Sequence, residues 1–471
     1  MEDLFEENDA LAVGALVKAR KIGVRELVDG SIAHLQKLNV SLNAITDFYE
    51  GPLLDRSIAA AGEGAFQGVP FVVKQLMAEC AGTPTTLGSR FFAKEPVAQA
   101  DSTAVARMRR AGLVIVGRSN TSELGLAPTT EPAFGGATRN PWRHDLSPGG
   151  SSGGSAAMVA ARGLAMAHAT DGGGSIRIPA SLCGLFGLKP SRGRITMAPI
   201  GETLAGAGAQ LAVSLSVRDS AALLDAIAGP GPGDPYAAPP PAGTFLAATE
   251  REPGRLRIAF MKRPVGGGPL DPDLVTAVER TAALLAELGH HVEEAAPDYD
   301  PAATGMAFGT VMAANTWTNI QLRAAGRVPG SDDLEPVTRA TAERGRQVSA
   351  DGYIRAVQTF HRTGRQLGAF FETHDVLLSP TIARTNLPLG TVRMDGDLES
   401  FDQAMAPMVA FTSVCNATGV PAMSVPLETS GEGLPIGLHF VARFGAEEIL
   451  YSLAAQLERA RPWRNRRPPS S

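Results

Sequence analysis

The chain has 471 residues, of which 44% are hydrophobic and 19% charged, the composition of an ordinary globular protein. Its net charge of −5 excludes an electrostatic basis for nucleic acid or an anionic membrane as the main partner. No stretch of about 18 unbroken apolar residues occurs, so we expect no membrane-spanning helix. Three widely separated cysteines and an acidic start without a secretory signal predict a cytoplasmic location. We interpret the basic run over 459–467 as a solvated tail.

The order of the predicted elements is typical of an α/β protein. The first part of the chain contains, in order, two helices over 8–38 separated at Gly23, a strand over 69–73, a helix that is capped by Ser102 or Thr103 and runs through Arg110, a strand over 113–116, a helix over 156–161, and a strand or short helix over 164–169. A proline- and glycine-rich surface connection over 229–243 follows. The second part contains a strand over 256–261, a helix over 272–288, a strand beginning at His291, a mainly helical region over 303–372, strands over 376–378, 422–425 and 436–441, and a helix over 446–460. We therefore expect one domain over 1–471, with a mixed central β-sheet between helical layers.

Two glycine-rich runs carry the chemical signal. The first, SPGGSSGGSAA over 147–157, leads directly into an apolar helix, which is unusual for a flexible linker. It lacks the lysine of a phosphate-binding Walker A loop, and no strand precedes it, as a nucleophile elbow at Ser151 or Ser152 would require. The second run, DGGGSIRIPA over 171–180, places Ser175 after three glycines and 24 residues (175 − 151) beyond Ser151.

These two runs, together with the lysine that ends the strand in GVPFVVKQL, resemble the amidase signature family. Its members pair a GGSSGGS loop with a later D-x-GGSIR-x-PA segment at this separation, and Lys74 occupies the place of their upstream lysine. The resemblance covers most of the chain, because it extends to VGRSNTSELG, GATRNPW, CGLFGLKPSRGRI and GVPAMSVP. Within the family, TTEPAFGGATRNPW and RPWRNRRP most resemble the subgroup that contains 6-aminohexanoate cyclic dimer hydrolase.

The resemblance implies the amidase signature fold, a catalytic core over about 66–225, and an amidase that acts through an acyl-enzyme intermediate. Its triad would consist of Ser175 as nucleophile, Ser151 as a relay serine held by a cis peptide bond, and Lys74 as base. We expect the oxyanion hole to consist of the backbone N–H groups of Gly172, Gly173, Gly174 and Ser175. The residues expected to brace the two loops are Asp171, Arg177 and Ser152.

Histidine does not supply the base in this hypothesis. His168 lies near the second glycine run, but in an apolar stretch that predicts a hydrogen-bonded core histidine, and the other histidines have no motif around them. A lysine can replace histidine when it is deprotonated. Burial at the end of an apolar strand lowers a lysine pKa, and Lys74 follows Val72 and Val73. The alternative is a permanently charged lysine that is paired with a carboxylate.

Two positions depart from the family pattern. Gln75 stands where relatives often carry Asp, and Gly172 stands where many carry Thr, which loosens the loop beneath the oxyanion hole. The alternatives to an amidase are a carbamate hydrolase, the A subunit of the glutaminyl-tRNA amidotransferase, and a non-catalytic protein that binds a ligand with its glycine loops.

Substrate contacts are not identifiable from the sequence. The helical region over 303–372 could cap the site, but no pocket is assigned to Trp317, Asn319, Gln321 or Asn416. We expect a small-molecule amide as substrate. No cofactor or metal is expected, because histidine and cysteine lack ligand spacing. The resemblance suggests a homodimer.

Overall fold

The structure is a computed structural model that describes residues 4–469. Its helices are α1 (Leu4–Glu7), α2 (Ala10–Lys18), α3 (Val24–Leu42), α4 (Gly51–Ala59), α5 (Thr103–Arg110), α6 (Gly153–Ala160), α7 (Arg177–Cys183), α8 (Val217–Ile227), α9 (Phe245–Thr249), α10 (Pro272–Glu287), α11 (Pro301–Ala324), α12 (Pro336–Arg346), α13 (Ala350–Thr373), α14 (Leu398–Val409), α15 (Ser413–Thr418) and α16 (Glu447–Ala460). Its strands are β1 (Ile45–Phe48), β2 (Pro70–Lys74), β3 (Val114–Ser119), β4 (Met166–Asp171), β5 (Phe186–Lys189), β6 (Ala209–Ser214), β7 (Arg257–Phe260), β8 (His291–Glu294), β9 (Val376–Pro380), β10 (Ala422–Thr429) and β11 (Pro435–Ala442).

Eight strands form a mixed sheet in the order β4-β6-β5-β10-β11-β9-β7-β8. Neighbouring strands from β4 to β9 are antiparallel, whereas β9, β7 and β8 run parallel. Helix α10 connects the parallel strands β7 and β8, as a parallel crossover requires. Helices α7, α8, α10 and α16 pack against this sheet, and the apolar side chains between them form the main core. The predicted α/β fold with a mixed sheet is confirmed.

The first three strands form a separate sheet in the order β1-β3-β2. Strand β2 pairs in parallel with β3, so that Lys74 lies opposite Ser119, and all of β2 is buried. The side chain of His168 joins the two sheets. Its Nδ1, on β4 of the large sheet, accepts the backbone N–H of Lys74, on β2 of the small sheet, at 3.3 Å. The sequence did not separate these strands from the central sheet. The ends of β2 and β4 consequently lie side by side.

Most predicted elements occur near their expected bounds. Gly23 separates α2 from α3, and the segment over 164–169 is strand β4. The helix predicted from Ala156 begins earlier, at Gly153, and the connection over 229–243 contains no helix or strand. The apolar periodicity therefore predicted the type of most elements but left 164–169 open between a strand and a short helix. The ends of the elements depend on the surrounding turns.

The basic C-terminal run packs against the body of the protein. Trp463 is buried, and its indole N–H donates to the Leu215 carbonyl oxygen at 3.0 Å. Arg461 forms an ion pair with Glu428. The expectation of a solvated tail was wrong because these side chains find partners on distant elements, which the charge pattern of the run does not reveal.

Candidate active site

Lys74 ends strand β2 with its amine surrounded by hydroxyl groups. Its Nζ lies 2.8 Å from Oγ of Ser151, 2.8 Å from Oγ of Ser152 and 2.8 Å from Oγ1 of Thr170. The side chain is fully buried. Within residues 4–469 no carboxylate forms an ion pair with it. The alternative of a permanently charged lysine therefore lacks its partner.

Burial controls the ionisation of this amine. Removing water from around an ammonium group disfavours its charged form. The pKa of Lys74 therefore lies well below its ordinary value, and the charge of Asp171 offsets only part of the effect of burial. A lysine whose pKa is lowered in this way can carry a lone pair at neutral pH and accept a proton from a neighbouring hydroxyl.

The hydrogen bonds of Ser152 restrict its part in proton transfer. The Ser152 hydroxyl donates to the Thr170 carbonyl oxygen at 3.2 Å and accepts the Thr170 backbone N–H at 3.2 Å. Because a serine hydroxyl has one proton, Ser152 accepts a hydrogen bond from Nζ of Lys74 and does not donate to it. The hydroxyl protons of Ser151 and Thr170 remain free to point at the lysine lone pair.

The first glycine run presents its serines on a tightly held turn before α6. The Thr130 hydroxyl donates to the Gly149 carbonyl oxygen at 2.9 Å and accepts the Gly153 N–H at 3.0 Å. Between these two anchors lies the peptide bond Gly150–Ser151, which is cis. The run is therefore an ordered turn that is fixed at Gly149 and Gly153, and not a flexible linker, as the sequence predicts.

An ion pair between Asp171 and Arg177 anchors the second glycine run, and both side chains are 0% exposed. Arg177 donates from Nη2 to Oδ1 of Asp171 at 2.8 Å and from Nε to Oδ2 at 3.0 Å. Asp171 Oδ2 also accepts the N–H of Ile176 at 3.1 Å. Burial alone would raise the pKa of Asp171, but the guanidinium group outweighs it and holds that pKa below its usual range. The pair stays charged and joins the two ends of the run.

Residues from the α14–α15 region complete this network. Asn416 accepts Nη2 of Arg177 at 2.6 Å and donates to the backbone oxygen of Asp171 at 2.9 Å. The Thr412 hydroxyl donates to the carbonyl oxygen of Gly173 at 2.6 Å. Sequence reasoning missed Thr412 and left Asn416 unassigned, because no local pattern marks a contact across 239 positions.

The N–H groups of the second glycine run are available to a ligand. Across the described part of the chain, the backbone N–H groups of Gly172, Gly173, Gly174 and Ser175 donate to no protein group. Gly172, Gly173 and the half-buried Ser175 also line a cavity. Gly174 has a φ of +142°, a conformation that favours glycine. Unpaired N–H groups at a cavity wall are suited to binding an oxygen that acquires negative charge.

His168 is a hydrogen-bonded core residue, as predicted. Its Nδ1 accepts the Lys74 backbone N–H, so the neutral ring carries its proton on Nε2, which faces Oε1 of Gln210 at 3.2 Å. Burial lowers its pKa to about 3. With both nitrogens engaged and protonation disfavoured, His168 supports the backbone of Lys74.

The cavity has a volume of about 730 Å³ and includes Ser151, Thr170 and Ser175 in its wall. Most of the wall is apolar, with contributions from Leu76, Leu124, Leu204, Phe308, Met312 and Phe401. Helices α11 and α12 contribute several residues, including Asn315, Asn319 and Arg344. Arg344 pairs with Asp402 of α14 at 3.3 Å, and both side chains are exposed. A mainly apolar ligand of moderate size therefore fits the cavity interior.

The residues that lacked a pocket assignment fall in different places. Asn319 lines the cavity. Trp317 packs against a buried apolar cluster that includes Phe91, and Gln321 is exposed on α11. Asn416 belongs to the Asp171 network and does not line the cavity.

The two departures from the family pattern have structural consequences. Gln75 donates to Asp47 at 2.8 Å and accepts the Thr86 N–H at 2.9 Å, so it braces the turn after β2. A Cβ on Gly172 would lie 3.0 Å from Leu204. Gly172 therefore leaves additional room at the cavity wall.

The same described residues contain no group of three or more histidine, cysteine, aspartate or glutamate side chains able to hold a metal ion. They also contain no helix that is long and apolar enough to cross a membrane. The three cysteines are buried and free.

The Amidase family model matches residues 26–451, and the chain belongs to the amidase family. It is a hydrolase of carbon–nitrogen bonds other than peptide bonds. The predicted resemblance to the amidase signature family is confirmed.

One related sequence and two solved structures illustrate the similarity. The 6-aminohexanoate-cyclic-dimer hydrolase of Paenarthrobacter ureafaciens is 37% identical over 99% of this chain and 97% of its own length. A solved structure of 6-aminohexanoate cyclic dimer hydrolase complexed with substrate matches with a TM-score of 0.94 at 36% identity, covering 99% of both chains. A bacterial aryl acylamidase of the amidase signature family matches with a TM-score of 0.85 at 27% identity, covering 97% of this chain and 96% of its own. The predicted resemblance to the cyclic dimer hydrolase subgroup is also confirmed.

Proposed function

We propose that this amidase cleaves carboxamides by acyl transfer to Ser175, with Ser151 as relay and Lys74 as base. The observation that carries the proposal is the buried amine of Lys74, which lies 2.8 Å from Oγ of Ser151, a residue that lines the same cavity as Ser175. A serine hydroxyl needs a base to become an effective nucleophile. A neutral lysine supplies that base without a histidine.

In the first step, Ser175 Oγ forms a bond to the amide carbon. Its proton passes to Ser151, and the proton of Ser151 passes to Nζ of Lys74, which becomes an ammonium group. The tetrahedral intermediate then collapses as the carbon–nitrogen bond breaks, and the same relay returns the proton to the departing amine. The products of this step are the free amine and an ester on Ser175.

In the second step, water attacks the ester carbon while Lys74 again accepts a proton through Ser151. The carbon–oxygen bond to Ser175 breaks, the carboxylic acid leaves, and the proton returns to Ser175. In both steps the unpaired N–H groups of Gly172, Gly173, Gly174 and Ser175 would bind the oxyanion. One such donor is typically worth on the order of 10²–10³ in rate.

For the substrate, we propose a linear, aryl or cyclic amide with apolar character. The apolar cavity wall supports this class, and the similarity to 6-aminohexanoate cyclic dimer hydrolases supports the cyclic dimer of 6-aminohexanoate as the first candidate. A carbamate could be hydrolysed by the same acyl transfer to Ser175. The helical region over 303–372 would cover the bound substrate. A homodimer and a cytoplasmic location complete the proposal and rest on the family resemblance and the sequence.

The test is turnover by Ser175→Ala on 6-aminohexanoate cyclic dimer, an anilide and a carbamate. We expect the variant to lose at least about 10³-fold in kcat on any substrate that the native enzyme accepts. The matched control is Ser41→Ala, which removes an exposed hydroxyl from α3 that donates only to Leu38. Retained turnover in Ser175→Ala would exclude this serine as the nucleophile.

A further inference from the structure

The Thr412 hydroxyl does not serve its own helix. Thr412 immediately precedes α15, a position where a threonine side chain usually accepts an N–H from the first helical turn. No such bond forms here. The hydroxyl instead donates to the Gly173 carbonyl oxygen at 2.6 Å, and the Thr412 carbonyl oxygen accepts Nη1 of Arg177 at 3.0 Å. A single fully buried residue therefore contacts both the glycine run and the ion pair that anchors it.

The bond to Gly173 determines the direction of a neighbouring N–H group. A trans peptide carries its C=O and N–H on opposite sides of the chain, and the Gly173–Gly174 peptide is not one of the cis bonds. Because Thr412 holds the Gly173 carbonyl, the Gly174 N–H faces away from Thr412. That N–H donates to no group in residues 4–469.

Consecutive glycines have little intrinsic preference for one backbone conformation. Without a tether, the Gly173–Gly174 peptide could rotate and change the direction of the Gly174 N–H. The tether also requires close approach, because a Cβ on Gly174 would lie 2.5 Å from Thr412 Oγ1. The glycine at 174 and the threonine at 412 therefore depend on each other.

We propose that Thr412 is a positioning residue for the oxyanion hole, which rests on the proposed function of the glycine run. Its hydroxyl holds the Gly173–Gly174 peptide so that the Gly174 N–H is already aimed at the oxygen that becomes negative when Ser175 attacks. Donors fixed before the reaction stabilise the transition state without reorganisation. The contribution of Thr412 thus belongs to kcat and not to substrate binding.

The experiment compares kcat and KM for one amide in the native enzyme, Thr412→Ala, Thr412→Ser and Thr418→Ala. Thr418 is the matched control, because it ends α15, the helix that Thr412 precedes, and its hydroxyl donates to the Val414 carbonyl at 2.8 Å and not to the glycine run. We expect Thr412→Ala to lower kcat about tenfold or more with little change in KM. Thr412→Ser should restore kcat, and Thr418→Ala should match the native enzyme. Thr412→Val, which keeps the branched shape and excludes water, carries the same comparison if Thr412→Ala does not fold.

Native kcat in Thr412→Ala and Thr412→Val would overturn the inference, as would an effect confined to KM or equal losses in Thr412→Ala and Thr412→Ser. Ser175→Ala, measured in the same assay, separates the two proposals. If Ser175→Ala is inactive while the Thr412 variants are fully active, only the inference about Thr412 is wrong. If Ser175→Ala remains active, the proposed nucleophile is wrong and the inference falls with it.

Discussion

Lys74 and Lys189 both end buried strands, yet their surroundings differ. Lys74 follows the apolar residues of β2 and meets three hydroxyl groups, two of which belong to residues that line the cavity. Lys189 ends β5, and its Nζ donates to the Pro190 carbonyl oxygen at 2.7 Å. Burial lowers the pKa of both lysines, and that of Lys189 falls to about 8.

The difference shows that burial alone does not make a lysine a catalytic base. A carbonyl oxygen can only accept a hydrogen bond, whereas a hydroxyl can also give up a proton. Lys74 therefore has neighbours that can exchange a proton with it. Lys189 has an acceptor that keeps one of its protons in place.

The largest effect should come from replacing the two lysines separately. Lys74→Met should lower kcat/KM by about 10²–10⁴, the usual contribution of a general base. Lys189→Met, the matched control, should keep the native value. Steady-state kinetics on purified, folded variants measures both. Equal losses in the two variants would mean that the proposed distinction between the lysines is wrong.

Among these changes, loss of the buried ion pair between Asp171 and Arg177 should lower the stability of the protein most. Asp171→Asn leaves Arg177 charged and without its carboxylate, a change that typically costs about 3–5 kcal/mol in the free energy of unfolding. Denaturant unfolding checks this value. The control is Asp351→Asn, which breaks an exposed pair with Arg355 and should leave the unfolding curve unchanged. A native unfolding curve for Asp171→Asn would contradict the anchoring role of the pair.

The pH dependence of kcat/KM should show which of the two lysines is the catalytic base. The neutral form of Lys74 is the active base, so kcat/KM should rise with pH until Lys74 has lost its proton. Since the pKa of Lys74 is well below its ordinary value, this acid limb should lie below the titration range of an exposed lysine. In Lys189→Met the limb should keep its position. A shift of the limb in that variant would assign it to Lys189.

A smaller effect is expected at Ser152, which accepts a hydrogen bond from Lys74. Ser152→Ala removes an acceptor that favours the charged amine, so the acid limb should move to lower pH. It also leaves the Thr170 N–H unpaired, at a cost of about 1–3 kcal/mol in stability. Ser155→Ala is the matched control, because Ser155 is buried nearby in α6 but donates to the His168 carbonyl. Identical pH profiles for the two variants would argue against an effect of Ser152 on the lysine.

Local patterns predicted much of the fold and marked the two glycine runs as candidate site segments. Gly23 separated two helices, and the apolar run before Lys74 predicted its strand. The structure places Lys189 at the end of a buried strand as well, and in the sequence the two glycine runs distinguish Lys74 from it. Thr170 went unnoticed because a threonine in a strand is common.

The remaining parts depend on contacts between distant segments. Strand β5 is only four residues long and β6 is rich in small residues, so neither has a strong local signal. Thr412 acquires its place from tertiary packing of α15 beside the second glycine run. Such contacts cannot be derived from periodicity, which records only which face of an element is buried.

The most direct test of the account is the site of reaction with a fluorophosphonate. Trypsin should release Gly163–Arg177, whose single serine is Ser175, and His144–Arg162, which contains Ser151 and Ser152. We predict that mass spectrometry finds the adduct on Gly163–Arg177 in the native enzyme, and that labelling becomes much slower in Lys74→Met. An adduct on His144–Arg162, or labelling at the native rate in Lys74→Met, would contradict the assignment of Ser175 as a nucleophile activated by Lys74.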